Sequence, residues 1–134
     1  MKATLAAPRA ANNSLREWKS LLNQFADEVE TWAQEENWSI HKSSKKLTER
    51  GLGSYRVPVL KLKSPDGEIW IEPTARFIAG GGEGRIDIVG WPTHSRATLI
   101  RNGNTWKIFD DYFKPVRKQW SKKALTTLIE QLAA

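Results

Sequence analysis

The chain has 134 residues, a net charge of +6 at neutral pH, 40% hydrophobic and 27% charged residues, and no cysteine. That size and balance fit one globular domain able to bury about two-thirds of its surface. They exclude disulfides and thiolate metal sites, and no apolar run approaches the roughly 20 residues that span a bilayer.

Residues 1–13 lack the apolar stretch of a secretory signal and read as a flexible tail, leaving 14–134 as a single α+β domain. A cytoplasmic location is expected, because absence of cysteine fits a reducing compartment. Charge comes in alternating blocks: a net −4 over 15–38, +6 over 39–63, −3 over 64–94 and +5 over 95–134. Such blocks either neutralise one another within the fold or meet an anionic partner.

Ser14-Leu15-Arg16-Glu17 has the form of a capping box. From Leu15 through Trp18, Leu21, Leu22, Phe25, Ala26, Val29, Trp32 and Ala33, apolar residues recur at three- and four-residue intervals, which predicts a helix to about Glu36. Its end carries Asp27, Glu28, Glu30, Glu35 and Glu36, the wrong sign for a helix C-terminus. The Lys42–Lys46 region or the C-terminal helix is expected to offset them.

Trp38–Lys42 reads as a short strand, and Ser43–Ser54 as a basic, glycine-ended loop. Tyr55–Lys63 is β-like, but Pro58 has no N–H to donate, so an edge strand is expected. Glu68–Glu72 alternates cleanly and Pro73 closes it. Ala75–Ala79 and Arg85–Val89 suggest a hairpin across Gly80-Gly81-Gly82-Glu83-Gly84. Ala97–Arg101 and Thr105–Phe109 suggest another across Asn102-Gly103-Asn104. Ser121 is the expected N-cap of a last helix with Ala124, Leu125, Leu128, Ile129 and Leu132 on one face. The expected fold is therefore α+β: a long N-terminal helix, an antiparallel meander of about five to seven strands and a C-terminal helix, with both helices on one face.

No motif carries chemistry by itself. The glycine-rich loop is followed by a strand rather than a helix, and Glu83 would repel phosphate, so it reads as a turn. The strand after Asp87 has neither carboxylate nor lysine, unlike metal-dependent nucleases with an acidic strand followed by Glu-x-Lys. No cofactor or metal is expected, since His41 and His94 have no close-spaced ligand partner.

The leading expectation is a small non-enzymatic binding or accessory protein for an anionic partner, either nucleic acid or an acidic protein surface, and not a membrane. Its candidate contacts are Lys42, Lys45, Lys46, Arg50 and Arg56, then Lys114, Arg117 and Lys118, with Trp70 or Trp120 as aromatic anchor. Lysine and arginine neutralise phosphates, and an exposed aromatic ring offers a base a stacking surface. Trp70 stands out because Ile69 and Ile71 take the opposite face of its strand, which puts it on the uncovered side of the sheet. One alternative is a metal-independent nuclease in which Asp87 orients His94 as a base and Arg76, Arg85 or Arg96 stabilises developing charge. The other is a cone-shaped α+β fold holding a small apolar ligand between sheet and helix.

Overall fold

The computed structural model describes residues 3–78, 83–109 and 115–133, with side chains described from Asn13 onward and not over 115–118. The elements are α1 (Ala3–Glu35), β1 (Ser39–Glu49), β2 (Gly53–Ser64), β3 (Gly67–Ala75), β4 (Arg85–Trp91), β5 (Arg96–Asn102), β6 (Thr105–Phe109), β7 (Pro115–Gln119) and α2 (Lys122–Ala133). The strands form one seven-stranded sheet in chain order, each antiparallel to the next. This is the expected α+β meander. Among the described residues, no helix is long and apolar enough to cross a membrane.

The stripe on α1 buries Trp18, Leu22, Phe25, Ala26, Val29 and Ala33. The helix begins at Ala3, well ahead of Ser14, so the Ser14–Glu17 box does not cap it. Alanine is the strongest helix former, and the alanine-rich stretch before Ser14 carries the helix through. Ser14 Oγ instead accepts a hydrogen bond from Arg76 Nε at 3.2 Å. At the other end Asn37 adopts φ 57°, Asn37 N–H donates to Gln34 O at 3.2 Å and Trp38 N–H to Ala33 O at 2.8 Å. This is a left-handed stop that satisfies otherwise orphaned carbonyls.

The acidic end of α1 is met from within the fold. Lys42 on β1 reaches Glu30 at 3.5 Å, while Lys122 on α2 reaches Glu35 at 3.1 Å and Glu36 at 2.9 Å. Hydrogen bonds to Glu36 and then Glu35 hold the Lys122 ammonium above the usual lysine range. α2 starts as expected, with Ala124 N–H donating to Ser121 Oγ at 3.1 Å. It buries Ala124, Leu125, Leu128, Ile129 and Leu132.

Both helices pack on one face, sharing a core with Leu60, Leu62, Ile69, Ile71, Ile86, Ile88, Ala97, Leu99, Trp106 and Ile108. Each fully buried Leu or Ile there contributes roughly 1.5–3 kcal/mol. Gly90 lies under α2, where an added Cβ would stand well inside contact distance of the Leu132 carbonyl. Its lack of a side chain is what lets the helix end approach β4.

Four local expectations are corrected. Ser43–Ser54 is not a loop: β1 and β2 pair continuously from Ser39↔Lys63 to Glu49↔Gly53. Most of β1 is exposed, and where its burial does alternate, over Ser44–Glu49, the residues are mainly polar and charged, so no apolar alternation marks it as a strand. β2 is not an edge strand, yet its pairing with β3 runs only from Leu60 to Ser64, so Pro58 lies where one side of the strand has no β3 partner. Pro73 does not end its strand; it pairs with Ile86, and the register shifts between Pro73 and Ala75. Because β3 supplies β4's partner, residues 76–78 form no strand. β7 was not anticipated from the sequence.

Candidate functional site

Alternation assigns the sheet's second face. With Ile69, Ile71, Ile86, Ile88, Ala97, Leu99, Trp106 and Ile108 turned to the helices, their strand neighbours face away. Register then aligns them in rows across the strands. Lys63, Glu68 and Trp91 lie in one row; Lys61, Trp70, Val89 and Arg96 in the next; Glu72, Asp87, Thr98 and Phe109 follow. Beyond them lie Arg85, Ile100 and Lys107.

An aromatic ledge is built at the first two rows. Trp91 stacks on Trp70 with centroids 5.2 Å apart and planes 13° from parallel. The Lys61 ammonium lies 4.3 Å from the Trp70 ring centroid, and His94 meets Trp91 edge-on at 4.6 Å. Trp70 Nε1 donates to Glu68 Oε2 at 3.4 Å, two residues back along the same strand. His94 follows the turn after β4 with φ 62°, its N–H bound to Gly90 O at 3.0 Å. Trp91 remains 40% exposed, one of two large hydrophobic side chains so exposed among the described residues. The stacked pair thus leaves one ring partly open to water, with Trp70 half-buried beside it.

Beside the ledge lies a cluster of charges. Asp87 is buried, accepting from Arg85 Nε at 2.9 Å, Arg96 Nη1 at 3.5 Å and Thr98 Oγ1 at 3.2 Å. Glu72 lies directly across the ladder from Asp87, a like-charge pair that Arg85 and Lys45 offset, Lys45 reaching Glu72 at 3.8 Å. Lys63 reaches Glu68 at 3.7 Å. Among the described residues, Lys45, Lys61, Lys63, Arg85, Arg96 and Lys107 thus accompany Glu68, Glu72 and Asp87, an excess of cations. Lys61 has no carboxylate partner among the described residues; it has only the Trp70 ring.

The sequence-expected nuclease residues divide. Arg96 and Asp87 meet, but Asp87 spends its oxygens on Arg85, Arg96 and Thr98, and among the described residues no hydrogen bond joins it to His94. Arg76 lies on the helix side of the sheet, donating to Glu83 O at 2.8 Å and Glu17 Oε2 at 3.4 Å. Among the described residues no cluster of three or more His, Asp or Glu could hold a metal ion. Much of the space between sheet and helices, where an apolar ligand would lie, is taken by Trp18, Leu22, Leu62, Ile71, Ile88, Leu99 and Leu125, and a cavity of about 200 Å³ lined by Phe25, Trp106 and Trp120 lies between α1 and β6.

The expected contact residues also divide. Trp70 and Lys45 lie on the open face, Lys42 turns to Glu30, and Lys46 and Arg50 are exposed on the β1–β2 ribbon. Arg56 donates to Ser44 Oγ at 3.0 Å across that ribbon. Trp120 packs on the helix side, stacked on Phe25 at 5.2 Å and against Trp32 at 5.7 Å. Lys114 lies outside the described residues, as do the side chains of Arg117 and Lys118.

Trp91, Lys61 and Arg96 join Trp70 only through strand register. The signal for them was parity within each strand, since Trp91 shares the side of Arg85 and Asp87 along β4.

The ribbon end is tied to the helix side by a polar chain. Trp18 Nε1 donates to the Tyr55 hydroxyl at 3.1 Å, and that hydroxyl donates to Glu49 Oε1. Glu49 also accepts from the Arg76 and Phe77 amides at 2.8 and 3.2 Å. Burial, then the Glu49 hydrogen bond and charge, push the Tyr55 hydroxyl well above the usual tyrosine range. Comparison of the chain with protein-family models, curated proteins and solved structures gave no match.

Proposed function

We propose that this is a binding protein that takes an anionic partner on the face of its sheet turned away from the helices. The observation that carries the reading is Trp91, 40% exposed and stacked on Trp70, with Lys61 free of any described carboxylate beside it. A flat aromatic surface edged by cations attracts a negatively charged molecule and offers it apolar contact at the same place. Lys107 extends the positive zone to β6 and Arg96, half-exposed on β5, adds a cation that also pairs with Asp87, while the other acidic side chains there are engaged by Lys63 and Lys45 and Asp87 is also held by Arg85.

The test is the salt dependence of binding to a labelled anionic polymer such as polyphosphate. With about three phosphates neutralised, affinity should fall by roughly 20–40-fold between 50 and 200 mM salt. Lys61→Glu should weaken binding, whereas Lys123→Glu, exposed on α2 behind the sheet, should change it little. Affinity that stays flat with salt, or that responds to Lys123 and not Lys61, would overturn the reading.

A further inference from the structure

Resting on that reading, we infer that the partner is single-stranded nucleic acid, with a base stacked on the ledge at Trp91 and its backbone crossing the strands between Lys61 and Arg96. Lys61 on β2 and Arg96 on β5 stand at opposite ends of the row that holds Trp70. Three strand spacings separate them, about 14 Å. Cations therefore stand at both ends of the Trp70 row, and Trp91, one row on, stacks against Trp70. A single strand needs that layout: charge along its backbone and a ring plane between charges for an unpaired base.

The same geometry disfavours other anions. An acidic protein surface would meet the lysines but has no use for a flat paired indole. A duplex hides its base faces within the stack, so only its phosphates could engage. Two ends of the ledge are held by movable groups, the Lys61 ammonium over Trp70 and the exposed His94 ring against Trp91. Either can swing aside to admit a base without disturbing the buried core, which lies on the far face of the sheet. Trp70 keeps its hydrogen bond to Glu68 while that happens.

The probe is a labelled oligo(dT) of about 15 nucleotides, within the range one such surface accommodates. Its binding is compared with a duplex of equal length, polyphosphate and polyglutamate. Oligo(dT) should bind most tightly and quench tryptophan fluorescence. Trp91→Ala should weaken it about 5- to 150-fold, the equivalent of one stacked base, and Trp91→Phe by less. The salt slope should be the same in both variants, because the phosphate contacts remain. Circular dichroism of Trp91→Ala and Trp91→Phe checks that the sheet is intact.

Salt-sensitive binding that ignores Trp91→Ala would overturn the stacking proposal and leave the anionic reading standing. So would duplex or polyglutamate binding as tight as oligo(dT). Failure to bind any of the four probes would remove both.

Discussion

Replacing Gly90 with alanine tests how closely the end of α2 packs on β4. The new Cβ would point to the helix side, well inside contact distance of the Leu132 carbonyl and 3.0 Å from Leu132 Cβ. Backbone cannot step aside as a long side chain can, so the end of α2 must retreat. Two costs follow. Overpacking at a tight contact costs roughly 1–3 kcal/mol. Lifting Leu132, now 8% exposed, forfeits part of the roughly 1.5–3 kcal/mol its burial contributes. The Thr93 hydroxyl, which donates to the Leu132 carbonyl, loses its acceptor as well. A loss of about 2–4 kcal/mol is therefore expected, a large share of the 5–15 kcal/mol typical of a domain. Urea unfolding followed by circular dichroism reads this as a lower midpoint at unchanged slope. A Gly90→Ala midpoint equivalent to within about 0.5 kcal/mol of the parent would refute the packing argument.

Other consequences are open to the same assay. Tyr55 keeps its proton in the folded state to higher pH than in the unfolded chain, so its contribution is complete below the unfolded value of 10.0 and is lost as pH rises beyond it. Stability should fall above about pH 10, and Tyr55→Phe should flatten that fall. At neutral pH the same substitution should cost about 1–3 kcal/mol, because Trp18 Nε1 and Glu49 each lose a partner. Ser121→Ala should cost about 1 kcal/mol by removing the α2 cap, with Ser121→Asp restoring most of it. Trp120→Ala should destabilise by a few kcal/mol through loss of its contacts with Phe25 and Trp32, yet leave oligonucleotide binding to the folded protein unchanged.

Helices and most strands were legible because their burial is one-sided. The Leu15–Ala33 stripe and the Ile69/Ile71 alternation report directly which side meets the core. β1 was legible only in its first residues: Ser43, Ser44 and Lys46 are exposed, so composition there looks like a loop although the backbone pairs fully with β2. Phe77 and Ile78 looked like strand residues but lie beyond the register shift that ends β3.

Of the site, Trp70 was legible from parity. Its stacking on Trp91 depends on the pairing of Glu68 with Trp91, a non-local fact that no local pattern carries. Asp87 and Arg96 were correctly brought near one another. The separation of His94 from Asp87 depends on the turn conformation after β4, where His94 adopts a left-handed backbone and rests on Trp91 instead.

The central claim is that the face without helices does the binding. Backbone and indole resonances of isotope-labelled protein, followed by NMR while oligo(dT) is added, test it most directly. Shifts are expected to concentrate at the Trp70 and Trp91 indoles and at Lys61, Val89, Arg96 and Lys107, with α1 and α2 still. Shifts confined to the outer surfaces of the helices, or to the cleft lined by Arg16, Gln24 and Arg101, would contradict it.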